Sequence, residues 1–258
     1  MKILKHILVI TLLFITLFLL FLSTLYSINP VVNDSDKKVA FILPHADDET
    51  IGAGGLISML VEKGYRLHFD LMTSGNGIGH GTIRVDNYYN VRLPENVSEK
   101  DRKRMIREDS FKQVMMILNV NDYSMHHVDD GTLTTDEVYK VMEDLYLKEG
   151  YTVFYTTTGD RNPDHHACHE AMRRMQEKYP DLKYRQFPIY YYFYDRGITK
   201  PTEPLNSQYV DVNVDMYGNM KKRMFQVYYN INTILPSFYP RSDGVIGFGP
   251  ERIYYNSI

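Results

Sequence analysis

The chain has no tryptophan, and Cys168 is its single cysteine in 258 residues. One cysteine excludes an internal disulfide and any cysteine-based zinc site, and leaves the redox compartment open. Long basic blocks are missing as well. The 29 basic and 32 acidic residues give a formal net charge of -3, so a nucleic-acid partner has no electrostatic support. Internal repeats and low-complexity segments are absent. Tyrosine and phenylalanine are abundant, at 22 and 12 residues, enough for an aromatic core and a sugar-stacking platform. Tyr88, Tyr89 and Tyr190–Tyr192 fit either use. Oligomeric state is not legible in any of these features.

Charge is also missing from Ile7 to Ile28, a run preceded by Lys2 and Lys5. As a helix it would extend about 33 Å, against a hydrocarbon core of roughly 30 Å. No polar face interrupts it, which sets it apart from an amphipathic core helix. It is longer than the usual apolar region of a cleaved signal peptide, about 7–15 residues, and lacks a clear small-x-small end. The expectation is a membrane anchor over 1–28, a polar linker over 29–37 and a single catalytic domain over 38–258. Lys2 and Lys5 favour an inside N-terminus, which makes this a single-pass cell-membrane protein with its domain outside. Lys37 and Lys38 weigh against that orientation.

Beyond the linker, strand and helix patterns alternate. Val39–Leu43 is a short apolar run of the kind a doubly covered strand needs. Further strands are expected at Arg66–Met72, Ser124–Val128, Thr152–Thr156, Arg185–Tyr194 and Gln208–Val212. Helices are expected at Thr50–Lys63, Asp101–Leu118, Thr134–Leu147, His165–Lys178 and Tyr217–Ile231. Thr135 and Asp136 are the capping candidates of the third helix. This alternation predicts an α/β fold, a Rossmann-like, mostly parallel, doubly wound sheet flanked by helices. Ligands in such sheets sit beyond the strands' carboxyl ends. Polar clusters fall there four times, at His45–Glu49, Thr73–Gly81, Asp129–Gly131 and Thr157–His165.

Two of those clusters carry metal-ligand chemistry. In Pro44–Glu49 (PHADDE), a turn places His45 and Asp48, three apart, on one side and leaves Asp47 free to act as a base. In Asn162–His169 (NPDHHACH), Pro163 suits the first turn of a helix, so His165 emerges at that helix start. Two histidines and one carboxylate with open positions form a catalytic zinc arrangement. The same set serves iron(II) oxygenases, and spacing does not separate the metals. The simpler alternatives are an acidic helix cap at Asp48 or Glu49 and surface histidines in the second segment. The glycines of Ser74–Gly81 fail the dinucleotide-binding spacing and read as a flexible substrate loop.

PHADDE, then a helix, a strand, Thr73-Ser74-Gly75 and a later PDH resemble the PIG-L/LmbE family of zinc-dependent N-deacetylases. That family's first motif usually reads (A/P)HPDDE and its second HPDH, and its members act on N-acetylglucosamine linked to inositol, malate or phosphatidylinositol. Weaker matches are Arg107-Glu108-Asp109 heading a helix that ends Leu118-Asn119-Val120, Asp130-Gly131, and a late helix bearing Lys221 and Lys222. The resemblance implies that His45, Asp48 and His165 bind Zn2+, and that Asp47 is the general base that activates the attacking water. It implies that Arg107 and Asp130 hold sugar hydroxyls of an N-acetylated sugar or glycoconjugate substrate. An ion pair for Arg107 and a plain turn for Asp130 are the simpler alternatives.

Two positions depart from the family pattern. Ala46 replaces a proline, a change of loop stiffness. Asn162 replaces the histidine associated with oxyanion stabilisation or leaving-group protonation, and an amide supplies no proton at neutral pH. Asp164, which would orient that histidine, loses its usual partner. Acid assistance would then come from Asp47, His80, His166 or His169, the last two expected at the surface. Three functions follow as alternatives: a deacetylase, a catalytically impaired sugar-binding protein on the same fold, and an iron(II) oxygenase.

Overall fold

The computed structural model describes residues 38–77, 96–189, 205, 208–212, 218–229 and 251–255, together with Thr11, Phe14 and Thr16. The chain divides into two units, Met1–Ser35 and Asp36–Ile258. In the first, Thr11, Phe14 and Thr16 are helical and exposed. The remainder of the Ile7–Ile28 run and the linker up to Lys37 lie outside the described residues, as do His80, Tyr88, Tyr89 and Tyr190–Tyr192. Among the described residues no helix is long and apolar enough to cross a membrane.

In the second unit the elements are β1 (Lys38–Leu43), α1 (Asp48–Glu62), β2 (Arg66–Thr73), α2 (Glu99–Leu118), β3 (Tyr123–Val128), α3 (Thr135–Glu149), β4 (Val153–Thr157), α4 (Pro163–Lys178), β5 (Lys183–Phe187), β6 (Gln208–Val212), α5 (Gly218–Tyr229) and β7 (Glu251–Tyr255). The strands make one seven-stranded sheet in the order β3-β2-β1-β4-β5-β7-β6. β3, β2, β1, β4 and β5 are parallel. β7 runs antiparallel to both β5 and β6. The expected strands are present, with β5 ending at Phe187. The strand at β7 has no counterpart in the sequence reading. It is short and pairs where a distant segment returns, a context that local pattern does not contain.

Covering both faces of the sheet explains the apolar run of β1 and the burial of β1 and β4 at every position from Val39 to Leu43 and from Val153 to Thr157. On one face Phe41 stacks between Phe69 and Tyr155, with ring centroids 5.0 and 4.7 Å apart. On the other, Ala40, Ile42 and Phe154 meet Met172 and Met175 of α4 and Val138 and Met142 of α3. Truncating a ring such as Phe41 to alanine removes about 3–5 kcal/mol. The third helix starts one residue before its expected caps. Thr134 is the N-cap, and it forms a capping box with Glu137. These two faces hold β1 and β4 as the central neighbours, and the chemistry-bearing loops leave from their carboxyl ends.

Candidate metal centre and active site

The first loop is anchored immediately after β1. The Thr73 amide and hydroxyl both donate to the Pro44 carbonyl, at 3.0 and 2.7 Å, tying the ends of β1 and β2 together. A turn follows in which the Asp48 amide approaches the His45 carbonyl at 3.4 Å and the His45 amide donates to Asp48 Oδ2 at 2.9 Å. Asp47, between them, takes φ 135°, a strained backbone for a residue with a side chain. The second loop ends at Asn162, whose side chain accepts from the Asp164 amide at 2.9 Å and caps α4. Pro163 occupies the first helical turn. His165 is thereby turned into the protein, 1% exposed, toward the end of β1.

Three donor atoms converge. His45 Nδ1 lies 3.2 Å from His165 Nε2 and 3.3 Å from Asp48 Oδ2, and His165 Nε2 lies 3.4 Å from Asp48 Oδ2. Tetrahedral bonds of about 2.0–2.1 Å would separate their donors by about 3.3–3.4 Å. The residues present therefore fit a divalent metal held by His45, Asp48 and His165. The remaining ring nitrogens are engaged by carboxylates, which orient a metal-binding histidine and fix its tautomer. His165 Nδ1 meets Asp160 Oδ2 at 2.6 Å. His45 Nε2 meets Asp130 Oδ1 at 3.0 Å and Asp164 Oδ2 at 3.1 Å.

Those contacts locate the other sequence candidates. Asp164 is fully buried, and it accepts from the amides of Gly131 (2.7 Å) and Leu133 (3.1 Å) besides facing His45. It is thus turned to the first motif and not to position 162. Asp130 faces His45 and accepts from the Gly77 amide at 2.9 Å. A Cβ at Gly77 would lie 2.2 Å from Asp130 Oδ2, so only glycine permits this approach. Arg107, 9% exposed on α2, donates from Nη1 to Asp47 Oδ2 and to the Ala46 carbonyl, both at 2.7 Å. The simpler alternative for Arg107, pairing with a nearby acid, is the arrangement found. Of the two later histidines, His166 is exposed but His169 is buried, which corrects the expectation for it. Gln186 Nε2 lies 3.0 Å from His169 Nδ1, so a buried amide partner replaces water there. Asp160 was not singled out from the sequence. An acid five residues before His165 in the same rim loop was the available signal.

Electrostatics divide the acids by role. Burial raises the Asp47 pKa, Arg107 opposes that, and the neighbouring Asp48 adds to it; the net direction is up. Burial also acts on Asp48, but attraction to His165 and hydrogen bonds from both histidines outweigh it and pull its pKa down. Burial lowers the His165 pKa, yet Asp48 and Asp160 more than reverse this and carry it to about 9. Five aspartates (47, 48, 130, 160 and 164) surround the site, and among the described residues Arg107 and the two histidines with raised pKa values stand against them. Such an excess of carboxylate calls for a further cation.

With these two motifs on one rim, comparison with known proteins is decisive for the family. A family model described as PIG-L, GlcNAc-PI de-N-acetylase, matches residues 40–176. The chain belongs to this family. The match runs from β1 to α4 and contains all three candidate ligands. The probable N-acetyl-alpha-D-glucosaminyl L-malate deacetylase 2 of Bacillus subtilis (strain 168) is 27% identical over 143 residues, 54% of this chain. The matched stretch spans 60% of that relative's length. Among solved structures, N,N'-diacetylchitobiose deacetylase from Pyrococcus horikoshii aligns with TM-score 0.53 and 19% identity, over 85% of this chain and 84% of the other. A deacetylase of teicoplanin biosynthesis, solved with teicoplanin, aligns with TM-score 0.61 and 12% identity, over 84% of this chain and 97% of the other. At these identities the structural likeness concerns the fold.

A second histidine–aspartate cluster lies on β2 and β3. His68 Nε2 meets Asp70 Oδ2 at 3.1 Å, and His126 Nε2 meets Asp70 Oδ1 at 2.7 Å. His68 Nδ1 meets Asp122 Oδ1 at 2.7 Å, while Arg66 and the Tyr151 hydroxyl donate to Asp122 Oδ2. Here each nitrogen meets its own carboxylate oxygen in a chain, with no common point for an ion.

Proposed function

We propose that this chain is a zinc-dependent hydrolase that removes the acetyl group from an N-acetylated, GlcNAc-type sugar. The observation that carries the proposal is the convergence of His45 Nδ1, Asp48 Oδ2 and His165 Nε2 at 3.2–3.4 Å, with buried Asp47 alongside, in a chain of the PIG-L family. Bound there, zinc would polarise the acetamide carbonyl and bring the pKa of a coordinated water to about 7.

The chain's own residues account for the proton traffic. Asp47, with its raised pKa, is a competent base for the attacking water. Arg107 engages Asp47 Oδ2, leaving the other carboxylate oxygen to receive the proton. As the C–N bond breaks, protonated Asp47 would return that proton to the departing amine, giving acetate and a free amino sugar. Asp130 and Asp164 act on this chemistry by holding His45, and Asp160 by holding His165. Arg107 and Asp130 would also contact sugar hydroxyls, the role that the family resemblance gives them. The B. subtilis relative's name supports a GlcNAc-type substrate.

The Ile7–Ile28 run supports a single-pass anchor with the domain outside the cell membrane, and so a cell-surface glycan as substrate. Protease digestion of intact cells tests this: a protected domain overturns the outward placement. The chemistry is tested by acetate release from a panel of N-acetylated sugars by the zinc-loaded full chain. Release by the wild type and not by Asp47→Ala is expected; no release from any substrate sinks the proposal. A second reading, sugar binding without turnover, is favoured by Asn162, whose side-chain oxygen is committed to the Asp164 amide. It predicts glycan binding with no acetate release, and activity gained by Asn162→His.

A further inference from the structure

α5 lies outside the stretch matched by the family model, yet it reaches the site. Its buried stripe is Lys221, Met224, Phe225 and Tyr228, a helical i, i+3, i+4, i+7 face. At one end Lys221 Nζ donates to the Ile51 carbonyl at 3.0 Å and to Glu251 Oε1 at 2.5 Å. Glu251 in turn accepts from the Gly55 and Leu56 amides of α1 at 2.7 and 2.8 Å. The Ile51 carbonyl and Gly55 amide, which an α-helix pairs with each other, thus each have a side-chain partner. A Cβ on Gly54 would meet Lys221 Cγ at 3.0 Å, so glycine is what lets the lysine stem lie against α1. This buried ion pair pins α5 along α1.

Seven residues on, the Tyr228 hydroxyl donates to Glu49 Oε1 at 2.8 Å, where the Thr50 hydroxyl also donates at 2.8 Å. The other oxygen, Glu49 Oε2, accepts from the Asp47 amide at 3.2 Å. Asp47 is the residue with φ 135°, and a strained backbone persists only when its surroundings hold it. Arg107 holds the carboxylate end and the preceding carbonyl; Glu49 holds the amide end. We propose that Tyr228 is a positioning residue, acting through Glu49 to keep Asp47 in the strained conformation that presents its carboxylate beside the metal ligands. The catalytic reach of this claim rests on the deacetylase reading; its structural part does not.

The test is Tyr228→Phe, which keeps the ring and deletes one hydroxyl, in the zinc-loaded full chain. The expected result is a kcat about 10- to 100-fold lower, the scale of a small misplacement of a reacting group, with KM and zinc content unchanged. A crystal structure of the variant should show Asp47 relaxed from its positive φ and its bond to Arg107 lost. Glu49→Leu removes both acceptor oxygens, including the one facing the Asp47 amide, and should have the same effect. Combining the two should cost less than the product of the single losses, as for residues acting in one chain. An unchanged kcat, an equal loss spread over kcat and zinc content, multiplicative losses, or an unmoved Asp47 in the Tyr228→Phe crystal would each overturn the proposal. If the wild type releases no acetate, the deacetylase reading fails, and the crystallographic position of Asp47 still decides the role of Tyr228.

Discussion

The two histidine–aspartate clusters use the same residue types to opposite ends. In one, His45, Asp48 and His165 point three donor atoms at a common centre, with Asp130, Asp160 and Asp164 behind them. In the other, His126, Asp70, His68 and Asp122 alternate base and acid along a line that ends at Arg66 and Tyr151. The first has five aspartates, more carboxylate than Arg107 and its two histidines can balance even with both histidines charged. In the second, two aspartates face Arg66 and His68, whose pKa burial lowers but Asp70 and Asp122 raise to about 9, so the charges balance. Composition does not distinguish an ion site from a self-satisfied polar ladder. Convergence and leftover charge do.

The strongest way to break this comparison is to remove one histidine from each cluster. His165→Ala should abolish bound metal, measured by elemental analysis, and acetate release with it. His126→Ala, in the ladder, should leave both intact. Asp47→Asn should keep the metal while lowering kcat by about 10²–10⁴-fold, the usual worth of a general base. Metal loss in that variant would show that Asp47 is a ligand.

Next in size is stabilisation by metal. Zinc at a hundred times its dissociation constant should add about 2.7 kcal/mol to the metal-free protein, which for a domain of this size raises the melting temperature by roughly 5–10 °C. His68→Ala should keep that increment and His165→Ala should lose it, with a chelator reversing it. An increment that survives His165→Ala would refute the assignment of the ion to the first cluster.

A smaller effect comes from pH. The folded His68 pKa of about 9 exceeds the ordinary 6.5, so its contribution is complete below about pH 6.5 and fades as pH rises through 9. The Asp70 pKa is lowered despite burial, through His126 and His68, so its contribution is present above its ordinary value of 3.8 and fades as pH falls below it. Urea unfolding should therefore show the wild type losing stability from pH 6.5 to 9.5 relative to His68→Gln. A constant difference across that range would show that His68 is held neutral. The smallest effect is expected at Asn162. Asn162→Ala should cost about 1 kcal/mol through loss of the α4 cap, whereas Asn162→Asp should be close to neutral, compared by thermal unfolding. A collapse of metal binding in Asn162→Ala would give that residue a larger part in the site.

Much of the site was legible in the chain because its information is local. His45 and Asp48 share one turn, and Pro163 sets the helix that carries His165, so short spacings encode their directions. The parallel direction of the early strands was legible for a related reason, since alternating strand and helix patterns leave few ways to cover both faces. His169 was misplaced at the surface because its partner, Gln186, is on β5 and enters only when strand and helix pack. β7 went unseen because a five-residue strand is defined by its neighbours more than by its own residues.

By itself the sequence determined the three candidate ligands, the acid between two of them and the sheet that carries them, through turn chemistry, a helix-starting proline and hydrophobic period. Only the tertiary structure decided which acids stand behind which histidine, that Arg107 and Glu49 hold the strained Asp47, and that a tyrosine some 180 residues away completes that hold. The physical reason is that hydrogen-bond partnership depends on distances of about 3 Å between atoms, and for residues far apart along the chain those distances exist only after the core has packed.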